Sequence, residues 1–298
     1  MHNNGVGRKP ILSIIIPAFN TADTISGCLD SVFSQSYGDF EAIVINDGSP
    51  DTPHLEEVLQ PYLSRIIYVK QENKRAAGAR NTAIRRARGE FLAFLDSDDT
   101  WLPDHLATQM ALFEQDPTID LVYANALIVG AKYQQEFMKR CPSEGPVTFP
   151  ALVVERCQIP ISTVVVRKSV IVKAGFFDES LQRCDDYDMW LRTIFQGAKV
   201  TYTRRVQAHL NSERPGSLGQ VYGFVHEAPR GRRAAVVRGR ASSSRLRVSC
   251  PAPLPAEGRA RRRATPPRRP EVQPPGQVDC VRPFRRASGG GFRRTRRS

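Results

Sequence analysis

The sequence predicts an α/β fold: a mostly parallel, Rossmann-like central sheet flanked by helices, followed by a disordered basic tail. Three observations carry this expectation. Runs that are apolar at nearly every position, ILSIIIP at 11–17, FEAIVIN at 40–46 and FLAFL at 91–95, alternate with amphipathic stretches, and a strand apolar on both sides is one covered on both sides. Polar residues cluster where these runs stop, which is where open α/β sheets bind ligands. The third observation is an abrupt change of composition after about residue 213.

Taken in order, the first run is β-branched and closes on Pro17, which reads as a buried strand. Ile25, Cys28, Leu29, Val32 and Phe33 then keep the spacing of one helical face, with Thr21 or Asp23 as a cap and Tyr37-Gly38 as the stop. The second strand, 40–46, ends in the turn residues DGSPD. A helix near 53–63, a strand IIYVK at 66–70, a helix near 76–88 and the strand FLAFL follow. Beyond Pro103 the pattern gives a helix to about Gln115 and a strand IDLVYAN at 119–125, while 130–160 carries no clear period. STVVVR at 162–167 reads as a strand, KSVIVKAG as a short helix ending at Gly175, DDYDMWLRTIFQG as a longer one stopped by Gly197, and KVTYT at 199–203 as the last strand.

The stretch GEFLAFLDSDDTWLP, 89–103, drives a buried strand into three carboxylates, Asp96, Asp98 and Asp99. Carboxylate oxygens are hard ligands suited to Mg²⁺ or Mn²⁺, which are usually held by one or two acids together with substrate phosphates. Acidic triplets also serve as turns and helix caps. The position of this one at a strand end, with Asp47 at a neighbouring strand end and Phe19-Asn20 at a third, favours a metal and diphosphate site on one rim of the sheet.

SIIIPAFNTADTI…LDSVFSQSYGDFEAIVINDGSPD, AAGARNTAIRRARGEFLAFLDSDDTWLPDHL and GFFDESLQRCDDYDMWLR occur in that order over 11–218. Together they resemble the signature segments of family 2 glycosyltransferases, inverting enzymes of the GT-A fold. The resemblance implies a sugar transfer from a nucleoside diphosphate sugar to an acceptor hydroxyl, in bacterial cell-surface polysaccharide or lipopolysaccharide synthesis. It implies that Pro17 and Phe19 line the nucleotide-base pocket, that Asp47 hydrogen-bonds the base, and that Arg80 contacts base or phosphate, although Arg80 could instead pair with a surface acid, its helix also carrying Arg85, Arg86 and Arg88. Asn46 stands where the family usually has the first Asp of its D-D-G-S turn. Asp98 falls to the ribose and sugar, Asp99 to the metal, with Asp96 supporting. Asp186, second of the pair Asp185-Asp186 that replaces the family's E-D, falls to the general base; a carboxylate in a first helical turn is kept ionised by the helix dipole. The family's closing loop gives His209 and Arg214 as further candidates near the diphosphate. Trp190 could line the acceptor side or pack in the core.

Residues 214–298 hold 21 arginines and no lysine against 4 acids, so the net charge of +13 belongs to this segment. Its Arg, Pro, Gly and Ala are all encoded by GC-rich codons, which points to a shift of reading frame near residue 219 rather than to a selected nucleic-acid arm. The expected organisation is a catalytic domain over 1–218 and a disordered tail over 219–298. Two rival functions are weighed. A sugar-nucleotide nucleotidyltransferase would want a Gly-rich basic loop after the first strand, which PAFNTADT is not; a nucleic-acid-binding protein would act through the tail with a steep salt dependence. Six dispersed cysteines without a C-x-x-C pair, no leader-like apolar stretch and no apolar run near ~20 residues suggest a cytoplasmic protein with at most peripheral membrane contact, its partners a nucleotide-sugar donor and a sugar or lipid-linked acceptor.

Overall fold

The computed structural model describes residues 9–130, 133–212, 237–238 and 247–248. In chain order the elements are β1 (Leu12–Ala18), α1 (Ile25–Phe33), β2 (Phe40–Asp47), α2 (Thr52–Leu59), β3 (Ile66–Gln71), α3 (Arg75–Arg86), β4 (Phe91–Phe94), β5 (Thr100–Trp101), α4 (His105–Gln115), β6 (Leu121–Gly130), β7 (Tyr133–Glu136), α5 (Phe137–Arg140), α6 (Phe149–Val153), β8 (Val165–Arg167), α7 (Lys168–Lys173), α8 (Asp185–Phe195) and β9 (Val200–Asn211). A short antiparallel pair, β10 (Val237–Arg238) and β11 (Arg247–Val248), follows. Apart from these four residues, the expected tail of 219–298 and the candidate Arg214 lie outside the described residues.

The main sheet runs β3-β2-β1-β4-β8-β6-β9-β5, with β7 beside β6. The first four strands are parallel, with β1 and β4 buried along nearly their whole length as strands covered on both faces are. From β8 onward the sheet is mixed: β8 pairs antiparallel with both β4 and β6, while β6 and β9 are parallel. Alternate residues of β1 serve opposite layers. Leu12, Ile14 and Ile16 join Leu29, Val32, Leu55 and Leu106 on one side, whereas Ile15 joins Ile43, Ile45, Ile84, Met189 and Trp190 on the other. Two aliphatic layers, each side chain contributing about 1.5–3 kcal/mol when fully buried, therefore fix the strand order.

Several expectations need correction in detail. Helix α1 ends at Phe33, and neither Thr21 nor Asp23 caps it; Thr24 is the N-cap residue, and its hydroxyl donates to Ser97 O at 3.0 Å and Thr21 O at 3.3 Å without accepting from an N–H of its own helix. Residues 130–160 hold β7 and two short helices. The last strand does not stop at Thr203. It continues to Asn211, because register irregularities opposite Ala124–Ala126 absorb the exposed Arg204 and Arg205 before pairing with β6 resumes. His105 is fully buried, stacked on Trp101 at 4.5 Å, and burial pushes its pKa down to about 3, so the ring is a neutral core residue.

Candidate active site

Strands β1, β2 and β4 are neighbours and parallel, so their carboxyl ends open on the same rim. Ala18 sits opposite Asn46, which brings Phe19 and Asp47 out side by side. The loop after β1 is bonded to both flanking turns. Asn20 N donates to Ser49 Oγ at 2.6 Å and Ala22 N to Asp51 Oδ2 at 2.8 Å on the β2 side; Ser97 Oγ donates to Thr21 Oγ1 at 3.1 Å on the β4 side. One connected hydrogen-bonded frame therefore carries the strand-end residues that the sequence singles out.

Phe19 is 44 % exposed, so it is not a core residue, and Pro17 before it is half-buried. Asp47 is buried, and its Oδ1 accepts from Gln71 Nε2 at 2.6 Å and Lys74 N at 2.8 Å. Its turn needs Gly48: φ is +65°, and a Cβ there would lie 2.8 Å from Asn73 N. Asn46 is a structural pin rather than a damaged acid. Its Nδ2 donates to Thr52 Oγ1 and Tyr68 OH, both at 2.9 Å, and its Oδ1 accepts from Ser49 N at 2.9 Å. Thr52 and Tyr68 already spend their own protons on Ser49 O and Glu56 Oε1. A carboxylate at 46 would meet two lone pairs, so Asn46→Asp is expected to lower stability by about 1–3 kcal/mol in urea unfolding.

The acidic turn after β4 divides into different environments. Asp96 and Asp98 are half-buried, whereas Asp99 is 5 % exposed. Both Asp99 oxygens face protein: Oδ2 accepts from Ser162 Oγ at 2.5 Å and Oδ1 from Asn211 N at 2.8 Å. Burial, then Asp98 and Asp96, raise its pKa well above the usual carboxylate range. Asp99 thus ties the turn to β9 and to the segment before β8. Such crowding of like charges is what a divalent cation relieves. Among the described residues no three His, Cys, Asp or Glu side chains form a closed ligand cage.

Arg80 pairs with acids, but inside the protein rather than on its surface. It is 5 % exposed, and its guanidinium is bound by two carboxylates: Nη2 to Asp96 Oδ1 at 2.7 Å and Nη1 to Asp185 Oδ2 at 2.8 Å. Burial alone would lower its pKa, but Asp96, Asp185 and Asp186 outweigh burial and raise it, so the cation persists. Arg80 therefore joins the acidic turn to the first turn of α8, where Asp186 lies half-buried with Oδ1 accepting from Tyr187 N at 2.8 Å. Burial and then Asp185 push Asp186 up to about 6, against the opposing pull of Arg80. An acid that ionises near neutrality beside an acidic rim is equipped to take a proton from an alcohol.

The remaining candidates sort by burial. Trp190 is a core residue, 1 % exposed and edge-on to Phe94 at 6.1 Å and Phe177 at 6.3 Å. Asp188 and Arg192, four residues apart on α8, form an ion pair inside the protein, with Nε and Nη2 at 2.8 and 2.6 Å from Asp188 Oδ2. His209 is half-buried on β9 opposite Thr100 of β5. Ser162, Gln71 and the backbone of Asn211 were not foreseeable, since no local pattern marks a side chain that serves an acid far along the chain.

The chain is similar to known proteins. Residues 13–155 match the family described as "Glycosyl transferase family 2". The chain is 34 % identical over 185 residues to the Escherichia coli UDP-Glc:alpha-D-GlcNAc-diphosphoundecaprenol beta-1,3-glucosyltransferase WfgD, covering 62 % of this chain and 70 % of that one. It is 31 % identical over 204 residues to the Escherichia coli enzyme of the same description, WfaP, covering 67 % and 76 %. Among solved structures, S. aureus TarS 1-349 in complex with UDP-GlcNAc aligns with a TM-score of 0.58 at 20 % identity, over 69 % of this chain and 59 % of that one. The mannosyltransferase PcManGT from Pyrobaculum calidifontis, in complex with GDP-Man and Mn²⁺, aligns with a TM-score of 0.58 at 20 % identity, over 74 % and 63 %. The chain thus spans less than two thirds of either solved structure, and the likeness fixes the GT-A fold.

Proposed function

The chain belongs to glycosyl transferase family 2 and is a glycosyltransferase, and from that premise we propose that it moves a sugar from a nucleoside diphosphate donor to a hydroxyl of a lipid-linked acceptor, inverting the anomeric carbon. The observation that carries the reading is the Arg80 bridge, which brings Asp186 to the acidic rim at the carboxyl ends of β1, β2 and β4. Exposed Phe19 stacks on the base, with Pro17 beside it and Asp47 as the base's hydrogen-bond partner. Asp98 holds the donor's sugar and diphosphate side; Asp96 and Asp99 orient that turn. A Mg²⁺ or Mn²⁺ ion bound at Asp98 would neutralise charge on the departing diphosphate. Asp186 orients the acceptor hydroxyl and takes its proton as the oxygen reaches the sugar carbon, so a single carboxylate and no covalent intermediate give inversion.

The uridine donor and the undecaprenyl diphosphate acceptor in the names of WfgD and WfaP favour a UDP-sugar and a polyprenyl-linked glycan for this chain. Among the described residues no helix is long and apolar enough to cross a membrane; we propose that the enzyme meets its acceptor at the cytoplasmic membrane face. Thermal unfolding with UDP-, dTDP- and GDP-sugars tests the donor assignment. With Mn²⁺ and a UDP-sugar at about a hundredfold its Kd, Tm is expected to rise by about 5 °C or more, and EDTA should abolish the rise. No rise with any of these donors would overturn the reading.

A further inference from the structure

We propose that Arg80 is a positioning residue for the transfer step: by holding Asp96 through Nη2 and Asp185 through Nη1 it sets the place and the charge environment of Asp186 relative to the acidic rim. This rests on the reading of Asp186 as the proton acceptor.

The geometry argues for a working role over a stabilising one. A buried guanidinium is costly to desolvate, and a well-packed apolar side chain of similar volume commonly serves stability as well. Here the arrangement is also incomplete, because Arg80 Nε is buried without a hydrogen-bond partner. What it does secure is a link between two acids 89 residues apart in sequence, one after β4 and one opening α8. The adjacent residue acts on the same region. Asn81 donates through Nδ2 to Phe177 O and Glu179 Oε1, both at 2.9 Å, and accepts from Phe177 N at 2.9 Å, fixing the segment that leads into α8. Two consecutive residues of α3 therefore have complementary roles, Asn81 holding the backbone approach and Arg80 the first turn.

The charged groups facing Asp186 are Asp185 on its own helix, Arg80 on α3 and Asp96 in the turn after β4. The two acids disfavour its carboxylate and the guanidinium favours it, while the Tyr187 N–H supports the carboxylate from the backbone. These opposed signs make the inference testable with a measurement that a purely structural residue would not move.

The experiment is the pH profile of kcat/KM for the full chain with a UDP-sugar, Mn²⁺ and a polyprenyl-linked acceptor. Arg80→Met is expected to shift the acidic limb upward by about one pH unit, and Asp185→Asn to shift it downward by a similar amount. Arg80→Lys keeps the charge but not the fork, so kcat falls by about tenfold with the limb near its wild-type position. Asn81→Ala lowers Tm and kcat and leaves the limb in place. Unmoved limbs in both Arg80→Met and Asp185→Asn would overturn the proposal. Should Arg80→Met fail to fold, Arg80→Lys decides: an undiminished kcat there would overturn the proposal. The variant Asp186→Asn separates the two readings: if it still transfers sugar, the assignment of the base is wrong; if it is inactive and the limbs stay put, only the role of Arg80 is wrong.

Discussion

Asp186→Asn is expected to reduce sugar transfer by about a thousandfold or more while changing donor affinity by less than about threefold. The rate loss follows from the size of a general-base contribution, roughly 10²–10⁴, and from the inability of an amide to accept the proton. The fold should survive, because Asn has the same shape and its Oδ1 can keep the bond from Tyr187 N. Stability should in fact rise. The folded pKa of about 6 lies above the unfolded value, so the protonated form is the one the fold favours. That contribution is complete below the unfolded pKa near 3.9 and is lost as pH rises through about 6. At pH 7.5 the wild-type protein therefore holds a disfavoured carboxylate, and the neutral amide avoids a penalty of roughly 1–3 kcal/mol. An inactive variant that melts higher than the parent is hard to explain by misfolding. Residual transfer in Asp186→Asn should also lose its acidic limb. A variant with undiminished kcat would remove Asp186 from the chemistry.

The parts of this arrangement legible in the sequence are those governed by local pattern. Uniform apolarity marked β1, β2 and β4 as doubly covered, and polar residues directly behind them marked the rim. What remained hidden depends on distant partners. No local pattern reveals the setting of Asp99, because the direction of its carboxylate is set by Ser162 and by Asn211 N, 63 and 112 residues away. Arg80 begins like its exposed neighbours Arg85, Arg86 and Arg88, and only the return of α8 to the end of β4 turns it inward. The length of β9 was hidden by Arg204-Arg205, a charged pair that reads as a strand end until an irregular register lets it face solvent. Asn46 stands where the resemblance expects an acid, yet the surrounding hydroxyls have already committed their protons and leave room only for a donor.

The division of labour between Asp98 and Asp99 gives the second large effect. Asp98→Ala is expected to lose Mn²⁺-dependent donor binding by about a hundredfold or more, since charge neutralisation at the leaving diphosphate is worth several kcal/mol. Asp99→Ala should behave in the opposite way. It strips the partner from the Ser162 hydroxyl and from Asn211 N in a buried setting, and each unsatisfied donor costs about 1–3 kcal/mol. A domain whose entire stability is of the order of 5–15 kcal/mol would melt many degrees lower. The raised pKa of Asp99 does not weaken this expectation, because a protonated Asp99 still accepts from Asn211 N and holds the turn to β9. Calorimetric titration of a UDP-sugar with and without Mn²⁺, beside thermal melts of both variants, separates the roles. If Asp99→Ala kept its Tm and lost the metal-dependent increment while Asp98→Ala kept that increment, the cation would belong to Asp99 and its bonds to Ser162 and Asn211 would have to open when donor binds.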